Sequence, residues 1–209
     1  QTPQREAYFG RTMDFSYPLD PALYVLPKGY KWNNALRTHR IENRYTVMGI
    51  GQDISPLVLA DGMNEAGFAA AVLYFPGYAQ YDGAGAEGSG RLPIAALELV
   101  NFLLGQCGSV GEASAMLEKI RIVGAKDAVT GTVAPLHWIL ADKGGRCATV
   151  EKTAEGLGVM DNAAGVLSNS PDFGWHMTNL RNYMNVAPEQ RRDADWGPVQ
   201  LHPFGQGGG

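Results

Sequence analysis

Gly67-Phe68-Ala69-Ala70-Ala71-Val72-Leu73-Tyr74-Phe75 is the stretch that decides the fold. Its residues are apolar at odd and even positions alike, whereas a strand with one wet face alternates. A strand of this kind is covered from both sides, so something must pack on each face of its sheet. Upstream, the short runs 7–15, 23–27, 45–51 and 57–60 are each broken by Gly, Pro or Asp and read as further strands. Downstream, a glycine-rich loop over 82–90 precedes Leu92, Ala95, Ala96, Leu99 and Leu103, which recur at helical spacing. Ser109 and Glu112 form a capping box ahead of Val110, Ala113, Leu117 and Ile120, the apolar stripe of a second helix. Strands resume over 136–141 and 147–152, joined by the hairpin signal Asp142-Lys143-Gly144-Gly145. Short strands follow over 157–160 and 165–167, then a helix over 175–184. Strands, a helix pair and strands again predict a layered α+β domain, a single one spanning 1–209.

A chain of 209 residues, 45% hydrophobic, has room for one sizeable core. Lys and Arg number 17 against 21 Asp and Glu, with no basic stripe to neutralise a row of phosphates, which argues against nucleic acid as a partner. No apolar run approaches the roughly 18 residues of a membrane-spanning helix, so the reading is a soluble domain. Cys107 and Cys147 make neither a disulfide framework nor a metal-ligand spacing, which fits a reducing compartment.

Most reaction motifs are missing. No Gly-x-Ser-x-Gly pentapeptide occurs, and His39, His137, His176 and His202 show no HExxH and no pairing with Cys or carboxylates. Gly49-x-Gly51 lacks the third glycine of a dinucleotide fingerprint and reads as strand-end punctuation. The run from Asp61 through Gly62, Met63 and Asn64 to Glu65 lacks calcium-loop spacing and reads as a tight turn between strands. Cys107 follows a helix end, where the dipole raises a thiol pKa and argues against a nucleophile. No metal and no cofactor is expected.

What remains is Arg11-Thr12-Met13-Asp14, a cation and a carboxylate three apart at the end of an apolar run. By composition this is a strand-end charge pair, since surface pairs are common and buried charges rare. The tetrapeptide resembles the Arg-x-Met-Asp signature of the choloylglycine hydrolase family, which holds bile salt hydrolases and penicillin V acylases within the N-terminal nucleophile hydrolases. Further similar stretches follow in order: Ala60-Asp61-Gly62-Met63-Asn64-Glu65 with Gly67, Leu73-Tyr74-Phe75-Pro76-Gly77-Tyr78, Pro135-Leu136-His137-Trp138-Ile139, and Ser168-Asn169-Ser170-Pro171 with Phe173, Trp175 and His176. Phe204-Gly205-Gln206-Gly207 resembles the family's glycine loop.

The resemblance implies a four-layer αββα sandwich and hydrolysis of linear amides through an N-terminal cysteine, whose own α-amine, titrating near pH ~8, takes the thiol proton. It implies that Asp14 orients that amine, that Arg11 favours the thiolate, and that Asn169 and the Tyr74 backbone N–H stabilise the oxyanion. One such donor contributes ~10²–10³ in rate. Family spacing puts the cysteine a handful of residues before Gln1, and relatives continue past the glycine loop, so the expectation is a chain trimmed at both ends. Tyrosine at position 74 tilts the expected substrate toward phenoxyacetyl amides rather than conjugated bile acids. Met13, Leu23, Ile54, Val129 and Val133 are candidates for the acyl pocket, though they would serve an ordinary core equally. A homotetramer and a cytoplasmic location are implied by resemblance alone. The competing reading is an inactive fragment or a non-catalytic relative that binds amphipathic acyl ligands.

Overall fold

In the computed structural model the apolar stretch around residues 67–75 lies at the centre of the main sheet. The structure describes residues 6–14, 20–54, 57–83, 90–127, 130–186, 189 and 192–203, in two compact units, Gln1–Asp172 and Phe173–Gly209. The described strands of the first unit are β1 (Ala22–Leu26), β2 (Lys31–Asn33), β3 (Arg40–Glu42), β4 (Val47–Asp53), β5 (Leu57–Asn64), β6 (Phe68–Tyr74), β7 (Leu92–Ala95), β8 (Ile120–Val123), β9 (Leu136–Asp142), β10 (Cys147–Thr153) and β11 (Gly156–Asp161). Seven of them form one antiparallel sheet in the order β1-β4-β5-β6-β9-β10-β11.

One face of the sheet is covered by α1 (Leu99–Gln106) and α2 (Val110–Leu117). Leu59, Phe68, Ala70, Trp138, Leu140 and Val150 from the strands bury in one cluster with Leu99, Leu103, Leu104, Val110, Ala113 and Leu117 from the helices. Each large side chain so buried stabilises the fold by about 1.5–3 kcal/mol. Helix α1 lies close against the sheet at Gly62, where a Cβ would sit 2.6 Å from the Met48 carbonyl oxygen and 3.1 Å from Leu104 Cδ1. At the start of α2, Ser109 Oγ accepts from the Glu112 N–H at 3.2 Å, and Glu112 reaches back to the Gly108 N–H at 3.0 Å, one residue before the cap.

The opposite face exposes Leu23, Val25, Met48, Ile50 and Met63, aligned by the pairings Leu23 with Ile50, Val25 with Met48, and Met48 with Met63. The α+β expectation holds, and the described residues of this unit supply one large sheet and one helical layer. The second unit contains α3 (Phe173–Asn179) followed by a 3-10 turn at Leu180–Tyr183, and an antiparallel hairpin of β12 (Ala194–Trp196) and β13 (Val199–Leu201). Among the described residues no helix is long and apolar enough to cross a membrane.

Several expectations are corrected. The helix predicted from Leu92 begins only at Leu99; Pro93 would be tolerated in a first helical turn, so the cause is the strand pairing of 92–95 and not the missing N–H. Leu92–Ala95 instead pairs in parallel with β8, which also takes Ile120 out of α2. No strand forms among the described residues of 7–15, nor over 165–167. Gly49 and Gly51 lie inside β4 rather than at its end, and a Cβ on Gly51 would fall 2.0 Å from the Val58 carbonyl oxygen. Asp61 is likewise inside β5 rather than in a turn. The turn comes after Asn64, whose buried Oδ1 accepts from Ala66 N and Phe68 N while its Nδ2 donates to the carbonyls of Leu104 and Cys107. That side chain ties the turn to the end of α1.

Candidate active site

Arg11, Met13, Asp14, Ile54, Tyr74 and Asn169, of the residues singled out by sequence, meet on the sheet face that α1 and α2 leave uncovered. The coil at 6–14 brings Arg11 to β5, where its Nη1 donates to the Ala60 carbonyl at 3.2 Å and lies 3.7 Å from Asp61 Oδ2. The two side chains are 19% and 20% exposed, so neither charge is freely hydrated. Burial lowers the Arg11 pKa, an effect that Asp61 partly opposes. Burial likewise raises the Asp61 pKa against the pull of Arg11 and a hydrogen bond with the Ile50 backbone. Sequence reading took Asp61 for a turn residue and missed this contact. The register of β5, which puts Asp61 opposite Ile50 and Ala71, is what turns it to the Arg11 side.

Tyr74 ends β6 and is 54% exposed. Its N–H donates to Asn169 Oδ1 at 3.2 Å, so the two expected oxyanion donors are in direct contact. With the carbonyl end of the Asn169 amide on that N–H, the Nδ2 end faces away from it. Both donors can therefore serve one oxygen only after the amide turns. One residue on, the Ser170 hydroxyl donates to the Pro76 carbonyl at 2.8 Å and ties the two loops together.

Arg11, Asp14, Tyr74 and Asn169 all line one cleft of about 1090 Å³. Met13 and Ile54 line it as well, with Phe9, Leu73, Ile139 and Leu167 adding apolar wall. Leu23 and Val133 are not part of this lining: Leu23 is exposed on the outer face of β1 opposite Ile50, and Val133 is exposed. Val129 lies outside the described residues, as does the glycine loop at 204–207. A polar cluster that sequence reading missed also faces the cleft: Asp127 accepts from the Thr130 N–H at 2.6 Å and from the Thr130 hydroxyl, with Thr132 beside it.

Behind Tyr74 the support is buried. The Phe75 ring stacks on His137 at 4.2 Å and an interplanar angle of 7°, and His137 Nδ1 contacts Glu151 Oε1 at 3.1 Å. His137 is fully buried and packs on Phe75, but against the sequence reading it does pair with a carboxylate, Glu151, as His202 does with Asp193 at 3.0 Å; both partners lie too far along the chain for spacing to show. Cys107 is buried too, with its thiol pushed up to about 12, first by burial and then by Glu112, against a smaller opposing effect of Arg44. It is unsuited to nucleophilic work, though burial and not the helix dipole is the main cause. Among the described residues no group of three or more His, Cys, Asp or Glu side chains is arranged to hold a metal ion.

Comparison with known proteins finds relatives of this chain in sequence and in fold. The model of the linear amide C-N hydrolases, choloylglycine hydrolase family, matches residues 1–209. The chain is 35% identical over 203 residues to a bile salt hydrolase/transferase of Clostridium perfringens, covering 96% of this chain and 61% of that protein. It is 30% identical over 207 residues to a conjugated bile acid hydrolase of Lactobacillus gasseri, covering 99% and 65%. A crystal structure of a cysteine-to-alanine mutant of the C. perfringens conjugated bile acid hydrolase superimposes with a TM-score of 0.85 at 33% identity, over 99% of this chain and 62% of that one. Penicillin V acylase from Agrobacterium tumefaciens shares the fold, with a TM-score of 0.69 at 24% identity over 85% and 53% of the two chains. The chain thus spans less than two thirds of the length of each of these relatives.

Proposed function

The chain belongs to the choloylglycine hydrolase family of linear amide C-N hydrolases, and from that premise we propose that the whole protein cleaves a linear amide with an apolar acyl group through a cysteine acyl-enzyme. The observation that carries the proposal is the shared cleft of Arg11, Asp14, Tyr74 and Asn169 on the open sheet face. Its volume, about 1090 Å³, lies just above the ~300–1,000 Å³ typical of small-molecule sites. That size suits a bulky acyl group. The curated relatives at 30–35% identity are named for bile salts or conjugated bile acids, so a conjugated bile acid is the first substrate proposed, with a phenoxyacetyl amide, toward which Tyr74 tilts, as the alternative.

In the proposed reaction an N-terminal cysteine, supplied by the full-length protein, passes its thiol proton to its own α-amine and attacks the amide carbonyl. Asp14 orients that amine, and the Arg11 cation favours the thiolate. The oxygen that gains charge accepts hydrogen bonds from Asn169 Nδ2 and the Tyr74 N–H. The C–N bond breaks as the ammonium returns its proton to the leaving amine, and water then cleaves the thioester to regenerate the thiol. A homotetramer in the cytoplasm, implied by family resemblance, belongs to the same proposal, and light scattering with cell fractionation tests it.

The experiment is turnover of glycocholate, taurocholate and penicillin V by the full-length protein, read as release of glycine, taurine or 6-aminopenicillanic acid. Asn169→Ala lowers kcat by about 10²–10³ if its amide stabilises the oxyanion. A protein with an intact N-terminal cysteine that cleaves no amide overturns the assignment in favour of an acyl-ligand binder.

A further inference from the structure

Asn169 sits on an arm whose foot is fastened by another asparagine. Asn162 is 1% exposed and uses its whole side-chain amide. Its Oδ1 accepts from the Gly165 N–H at 2.9 Å, and its Nδ2 donates to the Val166 carbonyl at 2.9 Å and to Thr149 Oγ1 at 3.1 Å. Thr149 is fully buried in β10, so the amide links the loop at 162–166 to an interior strand. The Asn162 backbone joins the same strand, its N–H donating to the Cys147 carbonyl at 2.9 Å. From this foot the chain runs through Val166, Leu167 and Ser168, all lining the cleft, to Asn169 on the Tyr74 N–H.

We propose that Asn162 is a positioning residue that sets where Asn169 meets the Tyr74 N–H. The inference rests on the amide hydrolysis proposed above for its kinetic consequence, but its structural content does not. The arm between 166 and 169 is part of no strand or helix, and its residues are largely exposed. It has little packing of its own, so its place over the cleft depends on its ends. At the far end the Ser170 hydroxyl holds the Pro76 carbonyl. At the near end the Asn162 amide holds two successive residues at once, one by its donor and one by its acceptor. The planar carboxamide supplies an acceptor and two donors together, and glutamine, which carries the same group, would place it one methylene farther out. An arm freed at its foot shifts Asn169, and a misplacement on the order of 1 Å at a reacting centre costs about 10²-fold in rate.

The test uses the full-length protein and two readouts. In Asn162→Ala the Tyr74 amide exchanges with solvent at least about tenfold faster, while the Val150 amide in the core of β10 keeps its protection. In the same variant kcat falls about 30- to 100-fold with KM within about threefold, because the loss falls on transition-state contacts. Asn162→Asp keeps the acceptor for Gly165 but loses the donor to Val166, and it gives an intermediate loss of both; it serves if the alanine variant does not fold. Thr149→Val removes the amide's strand partner but leaves both loop bonds and the Asn162 N–H on the Cys147 carbonyl, so its kcat falls less than that of Asn162→Ala, by about three- to tenfold. A folded Asn162→Ala protein with parental Tyr74 exchange and parental kcat overturns the inference. If the parent cleaves no amide, the functional proposal fails, and Tyr74 exchange alone still decides the role of Asn162.

Discussion

Separating Arg11 from Asp61 exposes what the cleft demands of the fold. The pair is 3.7 Å apart with both side chains about one-fifth exposed. At that distance the attraction is about 4.5 kcal/mol for an effective dielectric of about 20, and about 1 kcal/mol in bulk water. Burial opposes it on both partners, and at 3.7 Å the contact is longer than a hydrogen bond. A net coupling of about 1–2 kcal/mol follows. The assay is a double-mutant cycle with Arg11→Met, Asp61→Asn and the double variant, each followed by urea unfolding at low and high salt. Asp61 also gives a pH signature whose sign is fixed. Its folded pKa is raised, so the folded state holds the proton longer than the unfolded chain does. Its contribution to stability is present below the ordinary carboxylate value of 3.8 and is lost as pH rises through the folded pKa. Asp61→Asn removes that decline. A coupling below about 0.3 kcal/mol, or an unchanged pH slope in Asp61→Asn, refutes the reasoning.

Other outcomes follow from single sites. Asn64→Ala removes the Nδ2 bonds to the Leu104 and Cys107 carbonyls and the single Oδ1 acceptor shared by the Ala66 and Phe68 N–H groups, and it destabilises by about 2–4 kcal/mol in chemical unfolding. Gly62→Ala forces a methyl group against the Met48 carbonyl and Leu104, lowering stability by about 1–3 kcal/mol in the same assay. Cys107 resists alkylation by iodoacetamide at pH 8 in the native protein and reacts once urea unfolds it, because its thiol is buried with a pKa pushed up to about 12. Tyr74→Phe keeps kcat within about threefold, since the proposed contribution is a backbone N–H and the ring is half exposed.

The parts of this molecule legible in its sequence are those whose signal lies within a few residues. The two-sided apolar run at 67–75 gave away the central strand, because burial on both faces leaves no polar alternation to read. Ser109 and Glu112 marked the start of α2 for an equally local reason. Where two local signals competed, the reading failed: helical spacing at Leu92, Ala95 and Ala96 outweighed Pro93, and only the partner strand at 120–123, about 28 residues on in the pairing register, decides for β7. The cleft illustrates the same limit more sharply. Arg11 and Asp14 gained meaning from family resemblance and not from a strand, since the described residues around them form none. Asp61 stood out only as part of a family-like stretch, with nothing to mark it as a partner of Arg11, and Asn162 carried no signal at all. A carboxylate before Gly62 looks like a turn, and an asparagine before two alanines and Gly165 looks like a loop. Both become interpretable through pairings across the sheet, which aim Asp61 at Arg11 and anchor Asn162 to Thr149. Polar residues that fix the geometry of such a site are read from three-dimensional register, so a sequence search for catalytic residue types finds the groups expected to touch the reaction and misses those that hold them in place.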